Sequence, residues 1–278
     1  MAKKAKVAII GLGYVGLPLA RLFVQKGHHV IGIDLDARKI EKLHARKSYL
    51  SDLDDGDIEE MFRDGRFLAT EKYDKIADAD FVIICVPTPI REKEPDLSYI
   101  QSAVEKMKPY LKKDQVIVLE SSTYPGTTEE IVKTKLEKQG FQIGKDLFLG
   151  YSPERIDPGN KGTPVERIPK IISGVTPECL KRISEFYESV FETVVPVSSP
   201  KVAEFAKMLE NCQRWVNISL VNEMNILANK LNVNLWEVIS AAKTKPWGFV
   251  PYYPGSGAGG HCIPVDPYFI IWLGMREG

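Results

Sequence analysis

The sequence predicts an α/β protein: a doubly wound, mainly parallel sheet followed by a domain built on one long helix. Three observations carry that expectation. Short apolar runs rich in β-branched residues alternate with helix-spaced stretches from Lys6 to Val197, the pattern of strands covered by helices on both faces. Glycine-rich or hydroxyl-rich turns follow several of those runs, at the strand ends where open α/β sheets bind ligands. At Ser198-Ser199-Pro200 the alternation stops, and Lys201 to Leu231 runs on with neither proline nor glycine. The expected division is therefore 1–198 and 199–278.

Composition narrows the function classes. Lys+Arg and Asp+Glu both number 37 in 278 residues, so no overall field favours nucleic acid or an anionic membrane. No segment has the uncharged length of a membrane span. The four cysteines, Cys85, Cys179, Cys212 and Cys262, form no CxxC pair, which argues against a metal site or a disulfide scaffold. A reducing, cytoplasmic setting fits that usage.

Lys6 to Ile10 reads as a buried strand. Gly11-Leu12-Gly13-Tyr14-Val15-Gly16 follows, then a helix over Leu17 to Lys26 and a strand from Val30 to Ile33 ending at Asp34. This is GxGxxG in a strand–turn–helix–strand context with an acid at the second strand's tip, the dinucleotide-binding arrangement. Gly11, Gly13 and Gly16, with Tyr14 and Val15 in the same turn, let backbone N–H groups and the helix dipole meet a pyrophosphate. Asp34 suits ribose hydroxyls and would repel a 2′-phosphate, so NAD is favoured over NADP; Lys39 close by works against that preference.

Asp36 to Arg46 reads as a helix, and the acidic Ser51 to Glu60 as a solvated helix start. Phe67 to Thr70 and Asp80 to Val86 are strands, the latter stopped by Pro87-Thr88-Pro89, which makes Thr88 a cofactor contact. Arg91 to Pro95 reads as a solvent loop. A helix over Tyr99 to Leu111 precedes the strand Gln115 to Glu120 and the hydroxyl-rich Ser121 to Thr128, where Thr127 or Thr128 would cap a helix over Glu129 to Gln139. Phe148 to Tyr151 leads into Ser152-Pro153-Glu154-Arg155-Ile156-Asp157-Pro158-Gly159, with Glu154 as a base. Ile168 to Ser173 is a strand, Thr176 to Phe191 a helix, and Thr193 to Val197 an edge strand.

In the second part Lys207 and Asn211 stand at i and i+4, on one helix face. A further helix spans Leu235 to Thr244. Gly255 to Gly260 then leads into His261-Cys262-Ile263-Pro264-Val265-Asp266, ahead of a helical start at Phe269 to Leu273. That glycine run lacks the Gly-Lys-Ser/Thr ending of a phosphate loop. Taken alone, Cys262 is as readily a small buried hydrophobe as a nucleophile.

As an ordered series these segments resemble the UDP-glucose/GDP-mannose dehydrogenase family. The resemblance rests on Gly11 to Pro18, Pro87-Thr88-Pro89, Ser122-Thr123, Ser152 to Arg155, Lys207 with Asn211, and Gly259 to Tyr268, and it covers nearly the whole chain. It implies two successive hydride transfers to NAD, turning the C6 alcohol of a UDP-sugar into a carboxylate through a Cys262 thiohemiacetal and thioester. Lys207, Asn211 and Asp266 would serve the charges at that thiol; Glu154 and Thr123, the latter also near the cofactor, would position the hydrolytic water. Ser152 to Gly159 looks like the branch acting on UDP-N-acetylglucosamine. The second glutamate of UDP-glucose enzymes is matched by Pro158, so that part of the pattern fails. The resemblance also implies a homodimer through the helix from about Lys201, and a chain that ends before a domain for the substrate's nucleotide. Two other readings stay open: a single-step β-hydroxyacid-type dehydrogenase with no task for Cys262, and an NAD-binding and dimerisation module inactive by itself.

Overall fold

A computed structural model describes residues 4–156, 162–260 and 263–278. The first strand, β1 (Lys6–Ile10), is buried after its first residue, as an all-apolar run must be when helices cover both faces. Helix α1 (Gly16–Gln25), strand β2 (His29–Ile33), helices α2 (Ala37–His44) and α3 (Asp55–Arg63) and strand β3 (Phe67–Thr70) follow in the expected order. The acids before α3 form a capping box, Asp54 and Asp57 each accepting the other's backbone N–H. Strand β4 (Phe81–Ile84), hairpin strands β5 (Ile90–Arg91) and β6 (Glu94–Pro95), helix α4 (Ser98–Met107) and strand β7 (Val116–Leu119) come next. The segment expected as a plain solvent loop is thus a two-stranded antiparallel hairpin. Glu92 and Lys93 make its turn at positive φ, 51° and 69°, the conformation a tight hairpin demands.

The helix expected over Glu129 to Gln139 begins as a π-helical stretch over Thr128–Lys133 and continues as α5 (Thr134–Glu137). Neither Thr127 nor Thr128 caps it in the expected way. Thr127 makes no side-chain cap, and the buried N–H groups at this start find a carboxylate from another helix instead. Strands β8 (Phe148–Tyr151) and β9 (Lys170–Gly174), helix α6 (Pro177–Tyr187) and strand β10 (Val194–Pro196) complete the sheet. Helices α7 (Pro200–Lys230), α8 (Leu235–Ala242) and α9 (Asp266–Glu277) follow; α9 is longer at both ends than the short apolar start suggested.

The sheet order is β10-β9-β8-β7-β4-β1-β2-β3. From β3 to β8 every pair is parallel. The next pair is not: β9 runs antiparallel to β8, with Gly150 opposite Gly174 and Tyr151 opposite Ser173. That reversal positions the site. It sets Lys170, the first residue of β9, beside the C-terminal ends of β7 and β8. The edges are β10 and β3, and one continuous core spans the sheet and its helices.

Candidate active site

The turn after β1 is shaped for a ligand's close approach. Gly11 sits at φ 96°, where a Cβ would collide with the Cys85 carbonyl, whereas a Cβ on Gly13 would meet nothing. The chain is therefore tight on its inner side and open outward. Helix α1 starts at Gly16, after Val15, with no side-chain cap. By contrast α2, α6, α7 and α8 are each capped by Asp36, Thr176, Ser199 or Asn234. Orphan N–H groups and a positive dipole end at that place suit a pyrophosphate. At the tip of β2, Asp34 accepts the Leu12 N–H at 2.9 Å, the Asp36 N–H at 3.0 Å and the Lys39 ammonium at 2.8 Å. Lys39 is thus paired with the acid rather than offered to a phosphate. Tyr14 is exposed and Val15 half-buried on the same turn. At the ends of β4 and β7, the Thr88 hydroxyl donates to the Ser122 carbonyl at 2.6 Å. Thr123 lies fully buried one residue on, its hydroxyl bonded to that of Thr127 at 2.6 Å. These residues fit a dinucleotide.

Helix α7 brings the second group together. Ala203, Glu204, Lys207 and Met208 are buried, and with Asn211 they form one stripe at helical spacing. Glu204, Asn211 and, beside the stripe, Glu210 each engage a different segment. Glu204 accepts the Gly126 N–H at 2.5 Å, the Thr128 N–H at 2.9 Å and the Thr128 hydroxyl at 2.7 Å, capping the π-helical stretch across 76 residues of sequence. Burial pushes its carboxyl up to about 7, against the pull of those donors. Asn211 Nδ2 donates to Asp266 Oδ2 at 2.5 Å. Burial likewise pushes Asp266 up to about 6, opposed by the Asn211 hydrogen bond and by the Lys207 charge. Glu210 holds Arg155 through two bonds of 2.6 and 3.2 Å, and the same guanidinium donates to the Pro169 carbonyl at 2.8 Å.

The loop after β8 is held from within as well. Glu154 Oε1 accepts the N–H groups of Arg155 and Ile156 at 2.6 and 2.7 Å. Its Oε2 lies 3.4 Å from the Lys170 ammonium. So Asn211 meets Asp266 directly, Lys207 lies close enough on the same helix face for its charge to act on that carboxylate, and Glu154 is tied to the same helix through its neighbour. Thr123 joins the group only through the loop that Glu204 caps. Cys262, His261 and Pro158 lie outside the described residues. Glu204, Glu210, Glu120 and Lys170 were not singled out from the sequence. Glu204 carried a signal, since it lies three residues before Lys207 and so on the same face; Lys170 carried none, because its partners are 16 and 50 residues away.

A groove of about 760 Å³ runs along the outer side of α1, lined by Tyr14, Arg21, Asp57, Arg155 and Arg167 among others. Of the residues above it shares Tyr14, Arg155, Ile156 and Pro169, but neither Asp34 nor any residue of α7. The strand-end cleft, which holds the glycine turn and Asp34, is the better match to a dinucleotide. No helix among the described residues is long and apolar enough to cross a membrane.

Comparison with known proteins gives a consistent answer. The NAD binding domain of the UDP-glucose/GDP-mannose dehydrogenase family matches residues 5–191, and that family's central domain matches residues 201–278. Protein CapL of Staphylococcus aureus is 44% identical over 98% of this chain and 63% of its own length. The UDP-N-acetyl-D-glucosamine 6-dehydrogenase of Salmonella typhi is 43% identical over 96% of this chain and 62% of its own. The solved UDP-D-ManNAc dehydrogenase of Pyrococcus horikoshii superposes with a TM-score of 0.88 at 31% identity, covering 95% of this chain and 63% of that one. The chain thus spans somewhat less than two thirds of the relatives it matches.

Proposed function

The chain belongs to the UDP-glucose/GDP-mannose dehydrogenase family and carries its NAD-binding domain, and on that premise we propose that the protein oxidises the C6 hydroxyl of a UDP-N-acetylhexosamine, UDP-N-acetylglucosamine first, to the carboxylate. The names of similar proteins support that substrate class. NAD supplies the hydride acceptor, twice per sugar. Everything else falls to this chain's residues. Gly11, Gly13, Tyr14, Val15 and Gly16 hold the pyrophosphate against the uncapped start of α1. Asp34, with Lys39 paired to it, takes the ribose hydroxyls, and Thr88 and Thr123 line the cleft at the ends of β4 and β7.

The observation that carries the reading is the convergence of Lys207, Asn211 and Asp266. Asp266 stands four residues after Cys262 in sequence, so the buried Asn211–Asp266 bond ties the helix bearing Lys207 to the segment bearing the thiol. An aldehyde must become tetrahedral before it can lose a second hydride, and a thiolate adding to it makes a thiohemiacetal whose oxidation gives a thioester. The ordinary thiol is mostly protonated at neutral pH, and the Lys207 ammonium supplies the cation that stabilises thiolate and oxyanion in turn, with Asn211 as the neighbouring donor. Glu154 then acts as base for the water that cleaves the thioester. The NAD-binding part spans 1–198 and the helical part 199–278, which pairs with a second copy along α7.

The deciding measurement is NADH yield per UDP-N-acetylglucosamine consumed by the full-length protein. Two NADH and a uronate are expected, and Cys262→Ser should abolish acid formation. One NADH per sugar, or acid production that survives Cys262→Ser, would leave the thiol without a task and overturn the reading.

A further inference from the structure

Beneath the Glu154 loop lies a buried charged cluster that the reaction as described does not use. Lys170 and Glu120 are 3% and 0% exposed, and their ammonium and carboxylate meet at 2.6 Å. The Lys170 ammonium also donates to the Pro153 carbonyl at 3.2 Å and reaches Glu154 Oε2 at 3.4 Å. The second oxygen of Glu120 accepts the Tyr187 hydroxyl. The rings of Tyr187 and Phe191 face the ammonium, 5.8 and 5.5 Å from it to their centroids, and the Cys85 thiol is the remaining titratable neighbour. Of the three charged side chains only Glu154 reaches partly out, at 12% exposure.

A buried ion pair is a poor way to gain stability, since well-packed hydrocarbon of the same volume often does as well. The cluster also holds two carboxylates against one ammonium. Burial pushes Glu120 up, and Cys85 and Tyr187 well up, so thiol and phenol stay neutral. Burial opposes the Lys170 charge too, yet Glu120 and Glu154 together outweigh it and its pKa is raised. The permanent cation is therefore shared between a carboxylate with no access to solvent and one at the cleft. The antiparallel turn of β9 is what places it there.

We propose that Lys170, itself fixed by Glu120 and Tyr187, is a positioning residue for Glu154, setting the direction of the carboxylate that acts on water. This rests on the reading given above for Glu154 and Cys262. In the step concerned, water adds to the thioester carbon and its proton passes to Glu154. The C–S bond then breaks, the uronic acid leaves, and the sulfur recovers the proton from Glu154. No electrons are exchanged.

The test uses the full-length protein and three variants: Glu154→Gln, Lys170→Met, and Lys170→Met with Glu120→Gln. The double variant removes the ammonium together with its buried partner, so no orphan charge remains to prevent folding. Rapid mixing with UDP-N-acetylglucosamine and NAD follows NADH release, and intact mass reports any adduct on the protein. With Lys170 replaced, the first two NADH should appear at the normal rate. Steady turnover should then fall about 100-fold as the adduct accumulates, the scale of losing a well-placed base. Lys170 variants that only melt earlier, with turnover unchanged and no adduct while Glu154→Gln accumulates it, would overturn the positioning role alone. If Glu154→Gln forms no adduct, the base assignment fails and this proposal falls with it.

Discussion

The two faces of α7 are opposite in character and opposite to what a surface helix ordinarily shows. The inward face carries Glu204, Lys207 and Asn211, while Phe205, Leu209, Val216, Leu220, Leu227 and Leu231 run along the outward side, each 48–63% exposed. A surface helix of a globular protein buries its apolar stripe and wets its polar one. The inversion has two separate causes. The inward face meets loops at strand ends, whose unpaired N–H and carboxylate groups need charged partners. The outward face has an apolar stripe of the kind that marks a surface awaiting a partner. One helix thus organises a cleft on one side and, on the dimer proposed above, would organise an assembly on the other, so that each side can be broken without the other.

The largest expected effect is on the outward face. Leu220→Asp with Leu227→Asp places two charges seven residues apart on the stripe. Burying a leucine is worth about 2 kcal/mol, and a two-fold interface counts each change twice. The dimer dissociation constant should rise at least 100-fold, read as a fall to monomer mass by light scattering, with NAD affinity unchanged within about twofold. A mass unaffected by both charges, monomer or dimer, would remove the outward face of α7 as an assembly surface.

The next effect is on the inward face and depends on pH. Glu204 sits near 7 in the fold and near 4.3 in an unfolded chain, so between those values the folded state binds more protons. Stability then falls as pH rises through that window and levels off above about 7, by about 4 kcal/mol at most. Asp266, pushed up to about 6, adds to the same slope up to that pH. Glu204→Gln should flatten the Glu204 part, so that wild type and variant differ in how much stability each loses between pH 5 and pH 8 in urea titrations. Parallel losses would mean that the three donors on Glu204, and not burial, decide its charge.

Local pattern made the layered architecture legible. The run Lys6 to Ile10, the glycine turn and Asp34 each announce their places because strand period, turn chemistry and helix spacing are near-neighbour properties. The same is true of Lys207 and Asn211, four residues apart on one helix. What stayed hidden depends on pairings made at a distance. Nothing in Ile168 to Ser173 marks β9 as antiparallel, so nothing marks Lys170 as the neighbour of Glu120. The expected threonine cap failed for the same reason: Glu204, from a helix 76 residues later, takes the N–H groups with both of its carboxyl oxygens. Asp266 was legible by its motif, but its bond to Asn211 was not.

The smallest effect tests where the inward face holds its energy. The Arg155–Glu210 pair has two bonds, yet its side chains are 27% and 38% exposed, and pairs of that kind contribute about 0.5–1 kcal/mol, less at high salt. A double-mutant cycle with Arg155→Ala and Glu210→Ala, measured by urea unfolding, should give a coupling in that range that shrinks in 1 M salt. Arg155→Ala should cost more than Glu210→Ala, since it also strips the Pro169 carbonyl of its donor. A coupling above about 2 kcal/mol that ignores salt would place the helix's main anchor at the rim of the cleft, and would make the buried Glu204 cap secondary to it.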